Sequence, residues 1–315
     1  MRALAGYVMK GPIPAILIVT AFALISLFPV LGMLSIFSGA AVALVTLRQG
    51  AKQGLLIIAG AAVLTGLFLQ LTVGAMVLGG VFALVVWLPL WALALVLRRT
   101  ISWSITLDTA VAISAVAVLL VYLVAGDPVQ MWQQLLTSVF DKLSAQQGGP
   151  DFGEFREQLP AIAKWMTGML AGAMALSLLA GMMVARWWQS LLYNPGGFRE
   201  EFYSLRMSRI AANIVLIVIV LSVLGLGSVS ALASDLVIIA VVVYSMVGLA
   251  LVHASVASTD KHVGWLVALY VLMFLMPPHV MLILAGVALA DSRLDFRARL
   301  AKKSSADSNN QNNDE

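Results

Sequence analysis

Long apolar runs separated by short charged gaps dominate this sequence. The first run extends over Gly11–Leu47 and the next over Leu55–Leu97, and each is far longer than the roughly 20 residues that a helix needs to cross a bilayer. Only 11% of the 315 residues are charged, whereas soluble domains contain about 25%. One soluble core cannot bury so much apolar surface. The sequence therefore predicts an all-α, polytopic helical membrane protein.

Breaks inside the long runs divide them into shorter helices. Pro29 interrupts the first run, because the residue before a proline resists the helical conformation. Gln70 and Gly74 lie near the middle of the second run, where a turn between two helices is expected; in one continuous helix, Gln70 would instead make an interhelical hydrogen bond. The predicted spans lie near residues 13–28, 30–47, 54–70, 73–97, 105–125, 161–185, 210–228 and 233–253.

The last apolar run, Val263–Ala290, contains Pro277-Pro278 and is compatible with one kinked helix or two short ones. Basic residues mark the cytoplasmic side of a membrane protein, and the basic residues near the C-terminus favour a final hairpin. The sequence thus predicts about ten transmembrane helices in short hairpins, with eight or nine as alternatives. Both termini are expected in the cytoplasm, in a bacterial inner membrane. Residues 1–303 form one predicted membrane domain, and residues 304–315 a disordered polar tail.

The segment 126–160 is expected outside the membrane and has an amphipathic pattern. Asp127-Pro128 is typical of a helix cap followed by proline at the first helical position. Apolar residues then recur at helical spacing from Val129 to Leu143. The pattern predicts one external amphipathic helix along the outer membrane surface, ended by the polar stretch 146–150.

A polar island, residues 186–209, interrupts the apolar sequence and is its best candidate for a functional segment. Two tryptophans follow Arg186 and are typical of an interfacial belt. An Asn-Pro-Gly-Gly turn comes next, and after it a short amphipathic helix that presents Phe198 and Phe202 on one face.

Two interpretations of the polar island are open: an interfacial elbow with cytoplasmic charges, or a docking surface for a cytoplasmic partner. Its excess of aromatic residues and arginines favours docking, since these residues anchor many interfaces. The candidate docking residues are Arg186, Trp187, Trp188, Tyr193, Asn194, Pro195, Gly196, Gly197, Phe198, Arg199, Glu201, Phe202 and Arg206.

Few residues within the spans carry chemistry. Asp108 and Asp235 are expected near the starts of two spans, where the helix dipole favours a carboxylate; an ion- or substrate-binding role is the alternative. Gly168 and Gly172 form a G-x-x-x-G pattern, which predicts close packing of helices within the chain, with a dimer face as the alternative.

The sequence gives no support for an enzyme, a cofactor or a metal site. It has no cysteine, and its three histidines lack the close helical spacing of a metal site. Nucleophile-elbow, zinc-protease and phosphate-loop motifs are also missing, so any energy input would have to come from a partner. The net charge of +4 is spread over short gaps between apolar runs, which argues against nucleic acid as a partner and for the lipid bilayer. The oligomeric state is left open.

A family resemblance is carried by four segments: MRALAGYVMKG, SGAAVALVTLRQGAKQGLLIIAG, WWQSLLYNPGGFREEFYSLR and LADSRLDFRARL. Together they resemble the YybS-like bacterial membrane proteins, a domain-of-unknown-function family. That family is similar in hydropathy to the S components of energy-coupling-factor vitamin transporters. The resemblance implies a membrane-embedded, solute-binding or transport-related subunit that works with a separate ATPase. Because this chain has more predicted spans than the usual six, no binding residue is transferred to it.

The alternative function is a membrane scaffold or regulatory protein. It would dock a cytoplasmic partner through residues 186–209 and the basic C-terminal tail.

Overall fold

α-Helices build the fold in a computed structural model that describes residues 1–145, 153–258, 262 and 264–296. The helices are α1 (Arg2–Val8), α2 (Pro12–Ile25), α3 (Ser35–Gln49), α4 (Ala51–Val73), α5 (Val77–Phe82), α6 (Leu88–Thr100), α7 (Trp103–Ala125), α8 (Pro128–Ser144), α9 (Gly153–Tyr193), α10 (Gly197–Tyr203), α11 (Arg209–Val223), α12 (Ser228–Ser258), α13 (Gly264–Leu275) and α14 (Pro277–Leu294). These ranges contain no β-strand, which confirms the all-α fold class.

The chain breaks where its prolines and glycines predict. Pro29 begins a 3₁₀ segment, Pro29–Leu34, between α2 and α3. Gly74 ends α4 in the left-handed conformation, with φ 69°, and the Gln70 side chain accepts a hydrogen bond from the Met76 backbone N–H at 3.2 Å. The turn interpretation of Gln70 is therefore confirmed.

Six helical segments in the described part of the chain are long and apolar enough to cross a membrane. They are Pro29–Gln49, Ala51–Val73, Val77–Thr100, Trp103–Ala125, Phe155–Tyr193 and Ser228–Ser258. Three shorter apolar helices accompany them: α2, α11 and α13. The last apolar run breaks at Met276 into α13 and α14, which agrees with the two-helix alternative. The count of ten spans stays a prediction, and the predicted tail, 304–315, lies outside the described residues.

α9 is much longer than predicted. It extends over Gly153–Tyr193, with Pro160 inside it, whereas its apolar pattern predicts a span only near 161–185. The polar residues at both ends continue the helix, because no turn-forming sequence interrupts it before Asn194. The predicted loop 186–209 therefore begins with about two turns of helix.

α8 has the predicted amphipathic form and start, since the Asp127 side chain caps it by accepting a hydrogen bond from the Gln130 N–H at 3.1 Å. The expected position along the outer membrane surface stays a prediction, and the structure adds a partner helix within the chain. Trp132 Nε1 donates to Thr167 Oγ1 at 2.9 Å, and Arg156 pairs with Asp141. These two pairs align α8 antiparallel to the first half of α9, which gives its apolar face a partner helix. The predicted end of α8 at 146–150 lies outside the described residues.

The core of the bundle lies where α3, α9 and α12 pack with their neighbours. Small residues set the closest approaches. A Cβ atom added at Gly168 would lie 2.9 Å from the Asp235 Cα, and one at Gly172 would lie 3.2 Å from the Ile238 side chain. Gly168 and Gly172 therefore hold α9 against α12, as the internal-packing interpretation of G-x-x-x-G predicts.

Candidate functional site

The polar island folds back onto one end of the bundle. Its first residues, 186–193, complete α9, and Gly196 then reverses the chain with φ 91°, a conformation that favours glycine. The short helix α10 follows and ends at Tyr203. The turn and the amphipathic helix predicted for this segment are both present.

An ion pair within the polar island joins α10 to α9. Arg186 donates from Nε to Glu201 Oε2 at 2.8 Å and from Nη2 to Glu201 Oε1 at 2.6 Å, which is the bidentate geometry that arginine and carboxylate favour. Arg186 Nη1 also donates to Gln189 Oε1 at 2.6 Å. Trp103 Nε1, at the start of α7, donates to Glu201 Oε2 at 3.0 Å. Glu201 therefore connects three helices.

The surroundings of Glu201 favour its charged form. Burial of the carboxyl raises its pKa, but the hydrogen bonds from Arg186 and Trp103 and the charge of Arg186 outweigh this effect and hold the pKa below its ordinary value. Because the folded state binds this proton less tightly than the unfolded state, Glu201 contributes stability above the unfolded pKa. That contribution is lost as the pH falls through the folded pKa.

We expect Glu201→Gln to remove this pH dependence. The difference in free energy of unfolding between the wild type and Glu201→Gln should be constant near neutral pH and should shrink below about pH 4.3, the ordinary glutamate pKa. Unfolding in mild detergent, measured between pH 7 and pH 3.5, checks this. Glu200→Gln, at the adjacent exposed residue, is the control and should show no such trend. A difference that grows on acidification would contradict the assigned pairing.

Next to the ion pair lies a polar cleft with a volume of about 490 Å³, within the roughly 300–1,000 Å³ of small-molecule pockets. Its polar lining consists of Arg98, Ser102, Ser104, Arg186, Gln189, Glu201 and Ser204. Arg98 Nη1 donates to the carbonyl oxygens of Thr46 and Leu47, both at 3.1 Å. Arg98 thereby caps the end of α3, and its guanidinium carries further N–H groups. The cleft therefore offers both donors and a carboxylate acceptor.

The candidate docking residues divide into a buried and an exposed group. Trp188 is 0% exposed and its ring stacks on Phe37 at 6.0 Å between centroids, so its assignment to an interfacial docking surface is wrong. Trp187, Phe198 and Phe202 are half-buried against the core, as are Arg186, Gly197 and Glu201. The exposed members are Tyr193, Asn194, Pro195, Gly196, Arg199 and Arg206.

Exposed members of the docking set also have partners within the chain. The Arg48 guanidinium lies 3.9 Å from the centre of the Tyr193 ring, and Arg199 Nε donates to Tyr203 Oη at 2.9 Å. Arg206 forms an ion pair with Asp295 at 3.0 Å. The exposed surface therefore has a defined shape, centred on the turn after α9.

The sequence placed Asp235 at a helix start, and the structure corrects this. α12 begins at Ser228, about two turns earlier, and Asp235 is 3% exposed. Tyr122 Oη donates to Asp235 Oδ2 at 2.8 Å. Asp108 lies five residues beyond the first residue of α7, and its carboxyl group is close to Ser208, which precedes α11. Both carboxyl groups therefore connect helices that are far apart in sequence, a pairing that no local pattern reveals.

Two further features of the cleft escaped the sequence pattern. Neither Arg98 nor Trp103 belongs to a local sequence pattern that indicates a binding site, yet both line the cleft. Among the described residues, no group of three or more His, Asp or Glu side chains could hold a metal ion. His253 Nε2 instead lies 2.9 Å from Tyr270 Oη, and its ring meets Phe202 edge to face.

Comparison with known proteins identifies a family and nothing finer. The model of a family described as "Predicted membrane protein (DUF2232)" matches residues 15–292. A search of curated proteins gives no match, and neither does a search of solved structures.

Proposed function

The chain belongs to the DUF2232 family of predicted membrane proteins, and from that premise we propose that it is a solute-binding, transport-related subunit that lacks its own ATPase. The solute would bind in the polar cleft between the ends of α6, α7, α9 and α10. The proposal places the protein in a bacterial inner membrane, with this end of the bundle and both termini in the cytoplasm. It includes no catalytic step.

The polar cleft is the observation that best supports this proposal, because a subunit that binds a solute needs an open polar volume beside its apolar helices. Arg98 and Arg186 supply guanidinium groups, and Glu201 supplies a carboxylate. Arginine is well suited to bind carboxylate or phosphate groups. A small polar solute with an acidic group therefore fits the chemistry of the lining best.

The cytoplasmic placement is supported by the basic residues around the cleft. Three further basic residues lie near Arg98 at this end of the bundle: Arg48 at the end of α3, Lys52 at the beginning of α4 and Arg99 at the end of α6. An excess of arginine and lysine in short loops is typical of the cytoplasmic side. The cleft would thus open to the compartment in which a separate ATPase works.

Purification from native membranes in mild detergent, with bound small molecules identified by mass spectrometry, tests this proposal. Ser204 lines the cleft and is exposed, so Ser204→Trp should fill part of it and lower retention of the solute by about tenfold or more, equivalent to about 1.4 kcal/mol. Asn194→Trp, at an exposed position outside the lining, is the matched control. Equal retention by both variants, or no retained solute in the wild type, would refute binding in the cleft.

A second candidate function, docking of a cytoplasmic partner, is favoured by the exposed turn between α9 and α10. Tyr193, Asn194 and Arg199 are exposed there, and tyrosine and arginine are common anchors of interfaces. The partner would be the separate ATPase in the transport interpretation, or a scaffolding partner in the alternative.

Co-purification tests the docking surface. Combined Tyr193→Ala and Arg199→Ala replacements should release a bound protein, whereas Lys142→Ala on α8, at an exposed position on another helix, should not. An ATPase lost from the double variant would support transport, and a cytoskeletal, ribosomal or cell-envelope protein would support scaffolding. An unchanged set of co-purified proteins would refute docking at this turn.

A further inference from the structure

A second polar cleft, of about 280 Å³, lies between the start of α11 and the end of α14. It is lined by Arg209, Ala212 and Asn213 on α11 and by Ser292 and Arg293 on α14. Two arginines from different helices thus border one cleft at the ends of apolar helices. Basic pockets of this kind between membrane helices bind the acidic head groups of lipids.

The polar groups of this second cleft are arranged as donors. Arg293 Nη2 donates to Asn213 Oδ1 at 2.5 Å, so the amide oxygen is occupied as an acceptor and the NH₂ group of Asn213 remains as a donor. Asp295 is paired with Arg206 at 3.0 Å. Within the described part of the chain, no ion pair includes the Arg209 side chain, which is exposed. The cleft therefore presents unmatched positive charge and amide donors, which suit a phosphate group.

An apolar groove of about 300 Å³ lies next along the same pair of helices. Its lining includes Val215 and Ile219 of α11, and Leu282, Gly286 and Leu289 of α14. α12 contributes its third wall.

The two cavities are in succession on both helices. Val215 follows Asn213 by two positions, and Leu289 precedes Ser292 by three, so less than one turn of helix separates polar from apolar lining on each side. A polar cleft that suits a phosphate and is followed by an apolar groove matches the shape of an amphiphile. A free anion such as inorganic phosphate would make no use of the apolar groove.

The outward face of α11 extends this surface. Ile210 is 73% exposed, Ile214 is 54% exposed and Ile217 is 59% exposed. In a membrane these side chains contact acyl chains, so a lipid with its head group at Arg209 would lie against apolar residues along its length.

We propose that α11 and α14 bind an anionic, phosphate-headed membrane lipid. Its phosphate lies between Arg209 and Arg293, and one acyl chain occupies the groove beside Gly286. This site is separate from the polar cleft at Arg186 and does not depend on the function proposed for that cleft.

Native mass spectrometry of the full-length protein, with added phosphatidylglycerol or phosphatidylcholine of the same acyl chains, tests the head-group part. The wild type should retain phosphatidylglycerol preferentially. The double variant Arg209→Gln/Arg293→Gln should retain about tenfold less, since each arginine near an acidic lipid surface contributes measurably. Lys52→Gln/Arg99→Gln removes the same charge from exposed positions elsewhere and is the matched control. Equal retention of the two lipids by the wild type, or equal loss in both double variants, would overturn the proposal.

A variant of the groove tests the acyl-chain part. A Cβ atom added at Gly286 meets nothing within 4 Å, so Gly286→Leu should fill the groove without disturbing the helices and should lower phosphatidylglycerol retention several-fold. Gly80→Leu, at another helical glycine with open space around it, should have no effect. Displacement of the lipid by millimolar inorganic phosphate, with Gly286→Leu unaffected, would show a site for free phosphate and overturn the lipid assignment.

Discussion

Replacing Trp188 with alanine is expected to lower the free energy of unfolding by about 3–5 kcal/mol, the range measured for tryptophan and phenylalanine truncations in well-packed cores. Trp188 is completely buried and stacks on Phe37, which joins α9 to α3. The truncation leaves a cavity between these helices that the alanines of α3 cannot fill. Reversible unfolding in mild detergent measures the loss.

The matched control for this prediction is Trp265→Ala on α13. Trp265 is 66% exposed, so its truncation should change the free energy of unfolding by less than about 1 kcal/mol. Trp188→Phe keeps an aromatic ring for Phe37 and should lose less than the alanine variant. Similar losses at Trp188 and Trp265 would show that Trp188 is not a core residue in the membrane-extracted protein.

Trp188 also shows where inference from the sequence ends. Trp187 and Trp188 are adjacent and follow a charged residue, so both match the pattern of an interfacial belt. Successive residues of a helix point about 100° apart, however, and only the neighbouring helix decides which of the two enters the core. The contact residue on that neighbour, Phe37 of α3, lies 151 positions away in sequence, and no local pattern identifies it.

Several starts and ends of helices were predictable because their causes are local. Pro29 removes a helical hydrogen bond, Gly74 adopts a left-handed backbone, and Asp127 caps α8. Each depends on one residue and its immediate neighbours. The same local chemistry predicted the turn at Gly196.

The ends of α9 and the partners of its neighbours were not predictable in this way. Polarity marked residues 186–193 as a loop, but polar residues continue a helix when no breaker follows them. The contact of Tyr122 with Asp235 joins residues 113 positions apart. The cleft at Arg98 depends on several such long-range contacts, which explains why sequence patterns located the polar island but missed half of its site.

Removing the Glu201 carboxylate is expected to destabilise the protein less than truncation of the buried Trp188 in the same polar island, but more than any other change to its charged residues. Glu201→Gln leaves the Arg186 guanidinium half-buried without its charged partner; about 28% of the Arg186 side chain and 29% of the Glu201 side chain are exposed. Exposed ion pairs contribute about 0–1 kcal/mol, and breaking buried ones costs about 3–5 kcal/mol. For this intermediate burial we expect a loss of about 2 kcal/mol in the free energy of unfolding, together with faster tryptic cleavage at Arg199.

A double-mutant cycle separates the ion pair from other effects of these substitutions. If the two side chains act mainly through each other, Arg186→Gln and Glu201→Gln combined should cost little more than either alone, giving a coupling of about 1–2 kcal/mol. Glu200→Gln, one residue away and exposed, should cost less than about 0.5 kcal/mol. Because Trp103 and Gln189 contact the same pair, loosening it should also open the cleft and reduce solute retention. Strictly additive losses of unfolding free energy would instead mean that Arg186 and Glu201 do not stabilise each other. In that case the phenylalanines of α10 would hold it in place, and the two charged groups would be available to bind a ligand.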